Sequence, residues 1–328
     1  MRVLLSGGSG FLGSHIAEQL TKSGHTVRAL VRRSSNKKFL EGLSNIEFAN
    51  GTIEDRGSIE AALDDVDAVI HSAGLVKARS QAEFEATNVQ GTRNMLEATL
   101  AKAPKIKRFV HVSSLAAVGA SEDGTPVTTA TVPHPVTSYG RSKLAAEQAV
   151  LAMKGQLPVT VIRPPAIYGP RDQEIFAFFQ SVQRGILPTV GKGGSTMSLI
   201  HGADCAAACI RAIDADVPSG SVYFVEDGKV HPLTALLEEI ERGMGKKALL
   251  RIALPMPVIT AAALASEVYG RLAKKAVMLN REKINEIRQP HWVCDASDTR
   301  RDLGWEPKVP LAEGVRETAR WYKENGWL

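Results

Sequence analysis

The sequence predicts an α/β fold: a doubly wound parallel sheet with a smaller, mostly helical C-terminal part. Three observations predict it. Short β-rich runs alternate with helical stretches through the first half of the chain. A glycine cluster, Gly7-Gly8-Ser9-Gly10-Phe11-Leu12-Gly13, falls between the first run and the first helix. After Arg163 the alternation loosens. The predicted strands are Arg2–Ser6, Thr26–Val31, Ile46–Asn50, Ala68–Ser72, Arg108–Ser113 and Val159–Arg163. Helical patterns fall between them at Leu12–Ser23, Ser58–Leu63, Ala86–Lys102 and Ser138–Met153, with Gly24 as a stop after the first. Pro164, Pro165, Gly169 and Pro170 break the chain, and an aromatic helix follows at Ile175–Gln183. A further helix starts near Asp204, and a strand near 221–226 returns to the sheet. Residues 1–165 are therefore expected to bind a dinucleotide and 166–328 to bind substrate, with no repeat or tethering linker between them.

The bulk numbers fit that fold and exclude others. A chain of 328 residues buries a large core, as one large domain or two ordinary ones. Hydrophobic residues at 44%, charged residues at 23% and a mean hydropathy of −0.08 predict a soluble globular protein. The net charge of +5 is spread along the chain, which argues against a nucleic-acid groove. Cys205, Cys209 and Cys294 form no disulfide framework and no metal-ligand spacing, so buried thiols in a reducing cytoplasm are expected, and no metal. Met1 leads straight into a strand, without the signature of a secretory leader. The most apolar later stretch, 254–265, is too short to span a bilayer and carries Pro255 and Pro257. It reads as a packing helix or lid over the substrate pocket, or as an amphipathic surface helix.

Gly8-x-Gly10-x-x-Gly13 follows a predicted strand and opens a helix, the context in which this pattern binds a pyrophosphate. The glycines allow a tight turn, close approach of the backbone and tight helix–strand packing, while N–H groups of the helix N-terminus face the phosphates. Gly7, Gly10, Phe11, Leu12 and Gly13 are thus expected to line the dinucleotide. At the end of the second strand an Asp or Glu would hold a ribose 2′-hydroxyl. Here Val31-Arg32-Arg33-Ser34-Ser35 offers no acid, two guanidinium groups and two hydroxyls. Arg32, Arg33 and Ser34 suit a 2′-phosphate, so NADP(H) is expected, with NAD(H) possible.

Tyr139-Gly140-Arg141-Ser142-Lys143 puts a phenol and an ammonium four residues apart on one helix face. A nearby ammonium favours the phenolate, which suits proton exchange near neutral pH. Upstream, Phe109-Val110-His111-Val112-Ser113-Ser114 ends a strand in two hydroxyls at the rim of the sheet, where open α/β sheets bind ligands.

These residues resemble the extended short-chain dehydrogenases/reductases, in the epimerase/dehydratase and 3β-hydroxysteroid dehydrogenase group. The resemblance spans nearly the whole chain. It runs through the glycine loop, His71-Ser72-Ala73-Gly74, Asn88-Val89-Gln90-Gly91-Thr92, the serine pair, Tyr139-x-x-x-Lys143 and Arg163-Pro164-Pro165-Ala166-Ile167-Tyr168-Gly169-Pro170. It continues through Ile200-His201-x-x-Asp204 and Asp302-Leu303-Gly304-Trp305-x-Pro307. The resemblance implies that Tyr139 is the catalytic acid/base and that Lys143 lowers its pKa and holds the nicotinamide ribose. It implies that Ser114, with Ser113 as the alternative, hydrogen-bonds the reacting oxygen. It further implies that Asn88 supports the cofactor or a relay water, that Ser72, Ala73 and Gly74 line the cofactor, and that Pro164 and Pro165 shape the nicotinamide pocket. Relatives commonly dimerise through helices equivalent to 86–102 and 138–153; Leu96, Leu100, Leu144 and Val150 permit this but could equally face the sheet.

Three departures from the family pattern bear on ligands. Sugar-nucleotide enzymes usually carry an Asn where Ala166 stands, and an Arg shortly before the Ile-His-x-x-Asp motif, where this chain has Met197-Ser198-Leu199. Both losses leave a diphosphate poorly satisfied. At the adenine, Gly51-Thr52-Ile53 offers a hydroxyl where relatives often have an acid, while Ile53 can pack on the ring. Phe176, Phe178 and Phe179 fit an apolar pocket or ordinary core equally well. The resulting expectation is an oxidoreductase acting on a ketone or secondary alcohol of a fairly apolar small molecule. The alternatives are a sugar-nucleotide epimerase or dehydratase and, further off, a non-catalytic cofactor sensor.

Overall fold

The computed structural model describes residues 1–190, 194–273, 275–277 and 279–328. Six strands of its main sheet fall where the sequence places them: β1 (Arg2–Ser6), β2 (Thr26–Val31), β3 (Ile46–Asn50), β4 (Ala68–His71), β5 (Arg108–Val112) and β6 (Val159–Arg163). Ser221–Phe224 returns as the seventh, parallel to β6 and in register with Thr160–Arg163. The spatial order is Ser221–Phe224, β6, β5, β4, β1, β2, β3, all parallel. The winding reverses between β1 and β4, which opens a crevice at their C-terminal ends. Both faces of these strands are covered, and β4, β5 and β6 are buried at every position.

On one face the helices Phe11–Lys22 and Gly202–Asp214 pack through Ile16, Leu20, Cys205 and Cys209 onto Val3, Leu5, Ile70 and Val110. Residues 202–224 thus rejoin the nucleotide half with a helix as well as the expected strand. The other face packs Leu4, Val69, Phe109 and Val161 under Ile59, Met95, Leu96 and Val150. Leu96 and Val150 are therefore core, Leu100 lies at its margin, and Leu144 is half-buried outside the cluster. The expected helix 86–102 is not uniform. Its first part, Glu85–Gln90, is a π-helix leading into the α-helix Gly91–Lys102, a bulged geometry that often marks functional positions.

The C-terminal part gathers around a third core, in which Phe179, Leu236, Leu237, Ile240, Val315 and Tyr322 meet Tyr168 and Leu199. Phe179 is buried there, Phe176 packs 4.7 Å from the Tyr322 ring, and Phe178 sits at the margin. The phenylalanine trio is core packing. Short strands absent from the sequence reading complete the region: Ala166–Tyr168 beside Leu199–His201, and Ile186–Val190 beside Leu250–Leu254. Two motifs have structural work here. Asp204 accepts from the Lys308 and Val309 amides at 3.0 and 2.9 Å, and its carbonyl accepts from the Trp305 indole at 3.1 Å. They hold the final segment against the sheet. Helix Met256–Ala273 packs through Ile259 and Ala263 on Ile284 of helix Arg281–Arg288.

Candidate active site

The glycine loop lies at the β1–β4 crevice. Gly7 has φ 76°, a conformation L side chains rarely adopt, and a Cβ there would lie 2.7 Å from the Ala73 amide nitrogen. A Cβ on Gly13 would overlap the Gly7 carbonyl oxygen. Helix Phe11–Lys22 starts at Gly10 with no side-chain cap, so no side chain satisfies its first amides, including those of Phe11 and Leu12. Uncapped amides in a cradle without side chains fit a dinucleotide pyrophosphate.

A hydrogen-bonded chain fixes the floor of this crevice. Thr92 donates to the Asn88 carbonyl at 2.6 Å, so its hydroxyl oxygen is left to accept from His71 Nε2 at 2.9 Å. His71 Nδ1 then accepts from Ser6 at 2.6 Å, and Ser6 accepts from the Ala73 amide at 3.3 Å. That order requires neutral His71, and burial lowers its pKa to about 3. The Ser72 amide donates to the Ser6 carbonyl at 3.2 Å. The segment 72–74 is thereby tied to β1.

At the end of β2, Arg32 and Arg33 are exposed, and neither guanidinium has an acidic partner among the described residues. The Ser35 hydroxyl closes a turn by accepting from the Arg32 amide at 3.1 Å, and Ser34 is exposed beside it. Two free cations and adjacent hydroxyls form a surface suited to a phosphate dianion. Thr52 is half-buried on the neighbouring strand end. Ile53 is buried against Gly91, where a Cβ would fall 2.7 Å from its Cδ1.

The catalytic candidates meet across the crevice. Thr137 caps helix Ser138–Ala152 by accepting from the Gly140 amide at 3.0 Å. A side chain at Gly140 would strike the Ala116 carbonyl; its absence lets the helix approach the turn Leu115–Ala117. Ser114 caps that turn, accepting from the Ala116 amide at 3.1 Å, and it holds down the pKa of the Tyr139 phenol. Ser113 points elsewhere: its hydroxyl is buried without a protein partner. Of the two serines, Ser114 is the one that bears on Tyr139.

Lys143 is buried, donates to the Val112 carbonyl at 2.6 Å, and has its pKa lowered to about 8 by burial. Tyr139 is pushed up to about 12, also by burial, with Glu174 and Glu286 adding to the rise and Ser114 opposing it. The expected lowering by Lys143 is not what governs the phenol here: desolvation outweighs it, and the amine is engaged with Val112. Gly74 places the cofactor-side backbone beside this pair, since a Cβ there would lie 3.1 Å from Asn88 Oδ1 and 3.9 Å from Lys143 Nζ.

Asn88 occupies the π-helix with both amide donors and one lone pair of Oδ1 engaged. Oδ1 accepts from the Leu75 amide at 2.7 Å; Nδ2 donates to the Leu75 carbonyl at 3.0 Å and to Ser142 at 2.9 Å. Ser142 in turn donates to the Tyr139 carbonyl at 2.7 Å. Asn88 thus positions both the 72–75 segment and the Tyr139 helix. Pro164 and Pro165 are buried at the end of β6, with the Pro164 carbonyl accepting from the Leu115 amide at 2.8 Å. Below them Arg163 and Glu147 form a buried ion pair at 2.5 Å.

Sequence reasoning missed the groups on the substrate side. Glu282 accepts from the Ser138 amide at 2.8 Å and its hydroxyl at 2.7 Å, and from Arg141 at 3.0 Å. Glu174 is raised in pKa by burial, with Lys283 and Lys77 opposing. No spacing signal joins these residues to the Tyr139 helix, because Glu282 lies 144 residues from Ser138.

Comparison with known proteins gives the family and the fold. Residues 3–225 match the NAD dependent epimerase/dehydratase family. The chain is 31% identical to the ceramide reductase of Caulobacter vibrioides, over 99% of this chain and 96% of that protein. It is 27% identical to the 2-alkyl-3-oxoalkanoate reductase of Stenotrophomonas maltophilia, over 96% of this chain and 98% of that one. The UDP-glucose 4-epimerase of Thermotoga maritima, solved with UDP-glucose, superposes with a TM-score of 0.81 at 22% identity, over 99% of both chains. That likeness establishes the shared fold. The chain belongs to the NAD-dependent epimerase/dehydratase family, within the extended short-chain dehydrogenases/reductases, and is an enzyme.

Proposed function

We propose that this family member is an NADP(H)-preferring oxidoreductase that interconverts a ketone and a secondary alcohol on a fairly apolar molecule. The observation that carries the reading is the gathering of Tyr139, buried Lys143 one helical turn on, and Ser114 at the head of the turn that Gly140 lets the same helix approach. The nicotinamide, when bound, supplies or accepts the hydride. Tyr139, protonated at neutral pH, gives its proton to the carbonyl oxygen, while Ser114 donates a hydrogen bond to the same oxygen. Lys143 lies beside Gly74, placed to hold a ribose hydroxyl. Asn88 acts by positioning, since both of its amide donors are spent on Leu75 and Ser142.

Three observations favour an apolar ketone over a sugar nucleotide. Ala166 brings no amide to the site, Met197–Leu199 bring no cation, and the two similar reductases act, by name, on ceramide and 2-alkyl-3-oxoalkanoate chemistry. Arg32 and Arg33 support the 2′-phosphate preference, and the three buried free thiols suit a reducing cytoplasm. A homodimer belongs to the same reading, built on sides of the two helices other than Leu96 and Val150; light scattering that finds only monomer removes it.

Titration with both cofactors tests the reading. NADPH is expected to bind more than about tenfold tighter than NADH, with the gap closing in Arg32→Ala/Arg33→Ala. NADPH oxidation is then expected with long-chain 3-oxo compounds. Tighter NADH binding, or a melting shift with UDP- or dTDP-sugars and none with ketones, would falsify it.

A further inference from the structure

Helix Met256–Ala273 has an unusual outer face. At 100° per residue, positions 258, 261, 262, 265, 268, 269 and 272 fall within an arc of about 120°. All seven are exposed and none is polar apart from the tyrosine hydroxyl. The larger side chains stand well out: Val258 is 52% exposed, Val268 56%, Tyr269 61% and Leu272 81%, with alanines between them. The inner face, Ile259 and Ala263, is already satisfied by Ile284, so the helix is apolar on both sides. The strand feeding it opens on Leu250, also exposed, just after Leu249, 93% exposed. A contiguous outward stripe of this kind requires a partner.

We propose that this face docks on an anionic lipid bilayer, with the helix lying in the interface. Charge selects that partner. Arg271 and Lys275 flank the C-terminal end of the stripe and have no acidic partner among the described residues, and the whole chain carries +5. A second copy pairing through the same face would offer these cations no carboxylate, since none of the seven stripe positions is acidic. No described helix is long and apolar enough to cross a membrane, so this one lies on the surface. Tyr269 has the amphipathic ring favoured at such interfaces. The stripe is also one helix removed from the catalytic pair: Ile284 packs beneath it while Glu282 of the same short helix holds Ser138. On the reductase reading, which this last step rests on, a membrane-resident ketone would reach Tyr139 without crossing water.

Vesicle co-sedimentation of the full chain, without cofactor or substrate, tests docking independently of that reading. The protein is expected to pellet with phosphatidylcholine vesicles containing about 30% phosphatidylglycerol and to pellet less with phosphatidylcholine alone. Val268→Glu/Leu272→Glu should lower partitioning by at least about tenfold, and Arg271→Glu/Lys275→Glu should weaken it on anionic vesicles only. NADPH affinity and the melting temperature of both variants should match the parent, because these side chains face solvent. Failure of the parent to pellet with either vesicle overturns docking, as does undiminished binding of Val268→Glu/Leu272→Glu. So does light scattering that shows a dimer which this variant splits without any vesicle binding. Loss of reductase activity with docking intact would instead count against the assigned reaction.

Discussion

The two walls of the Tyr139 cleft are built differently. On the nucleotide side, groups sit at the ends of β1, β2, β4 and β5, and their partners lie one strand or one turn away: Gly13 under Gly7, Ala73 on Ser6, Ser114 on Ala116. On the substrate side, the contacts that close the cleft bridge distant segments. Glu282 reaches Ser138, Tyr322 donates to the Asp172 carbonyl at 2.8 Å, and His15 bonds the Pro170 carbonyl at 2.9 Å. The first wall is a sheet edge, rigid because every strand is paired on both sides up to β6 and β2. The second is an assembly of short strands and helices, free to differ in what it presents. A scaffold of this kind keeps the chemistry constant on one side while the other sets which molecule is admitted.

The largest expected effect breaks the first wall's chemistry without touching its structure. Tyr139→Phe should lower turnover by about a thousandfold while NADPH affinity stays within about twofold. Steady-state rates and cofactor titration decide it, and near-parental turnover would take Tyr139 out of the mechanism.

A smaller effect should come from the seam between the walls. Glu282→Ala leaves the Ser138 amide and hydroxyl without that carboxylate and frees Arg141. A loss of about 1–2 kcal/mol in unfolding free energy is expected, with KM raised more than kcat is lowered. Equal falls in kcat and kcat/KM would instead place Glu282 in the transition state.

The smallest effect is a pH slope. His15 is buried between the glycine-loop helix and Pro170, and burial lowers its pKa to about 4 from 6.5. The folded state therefore stays neutral where the unfolded chain protonates. That contribution is complete above pH 6.5 and is lost as pH falls toward 4. His15→Gln, which keeps a donor and does not titrate, should flatten the stability loss between pH 7 and 5 by about one proton. Denaturant midpoints at the two pH values measure it, and identical slopes would show that His15 takes up protons equally in the folded and unfolded states.

Much of the first wall was legible because its signals are local. Strand, glycine loop and helix occupy one stretch of chain, so Gly7–Gly13 gives both the turn and the cradle. Tyr139 and Lys143 share a helix face by spacing alone. The choice between Ser113 and Ser114 was not legible: two adjacent serines differ only in which one caps the turn Leu115–Ala117. Nor was the rise of the Tyr139 pKa, since spacing reports a neighbouring charge but not the burial that outweighs it. Phe176 and Phe179 show the same limit, because an aromatic cluster has the same sequence pattern whether it lines a pocket or fills a core.

The sequence by itself determined the doubly wound sheet and the family, and it singled out the glycine loop and the Tyr139–Lys143 pair. Each follows from periodicity or from a motif whose geometry is complete within about twenty residues. Tertiary structure alone decided that Ser114 caps the turn facing the Tyr139 helix, that Asn88 holds two segments in place, and that Glu282 joins the walls. It also decided that one face of helix Met256–Ala273 is left bare. These depend on contacts between segments far apart in the chain, and hydrophobic pattern tells which residues leave water but not which partner covers them.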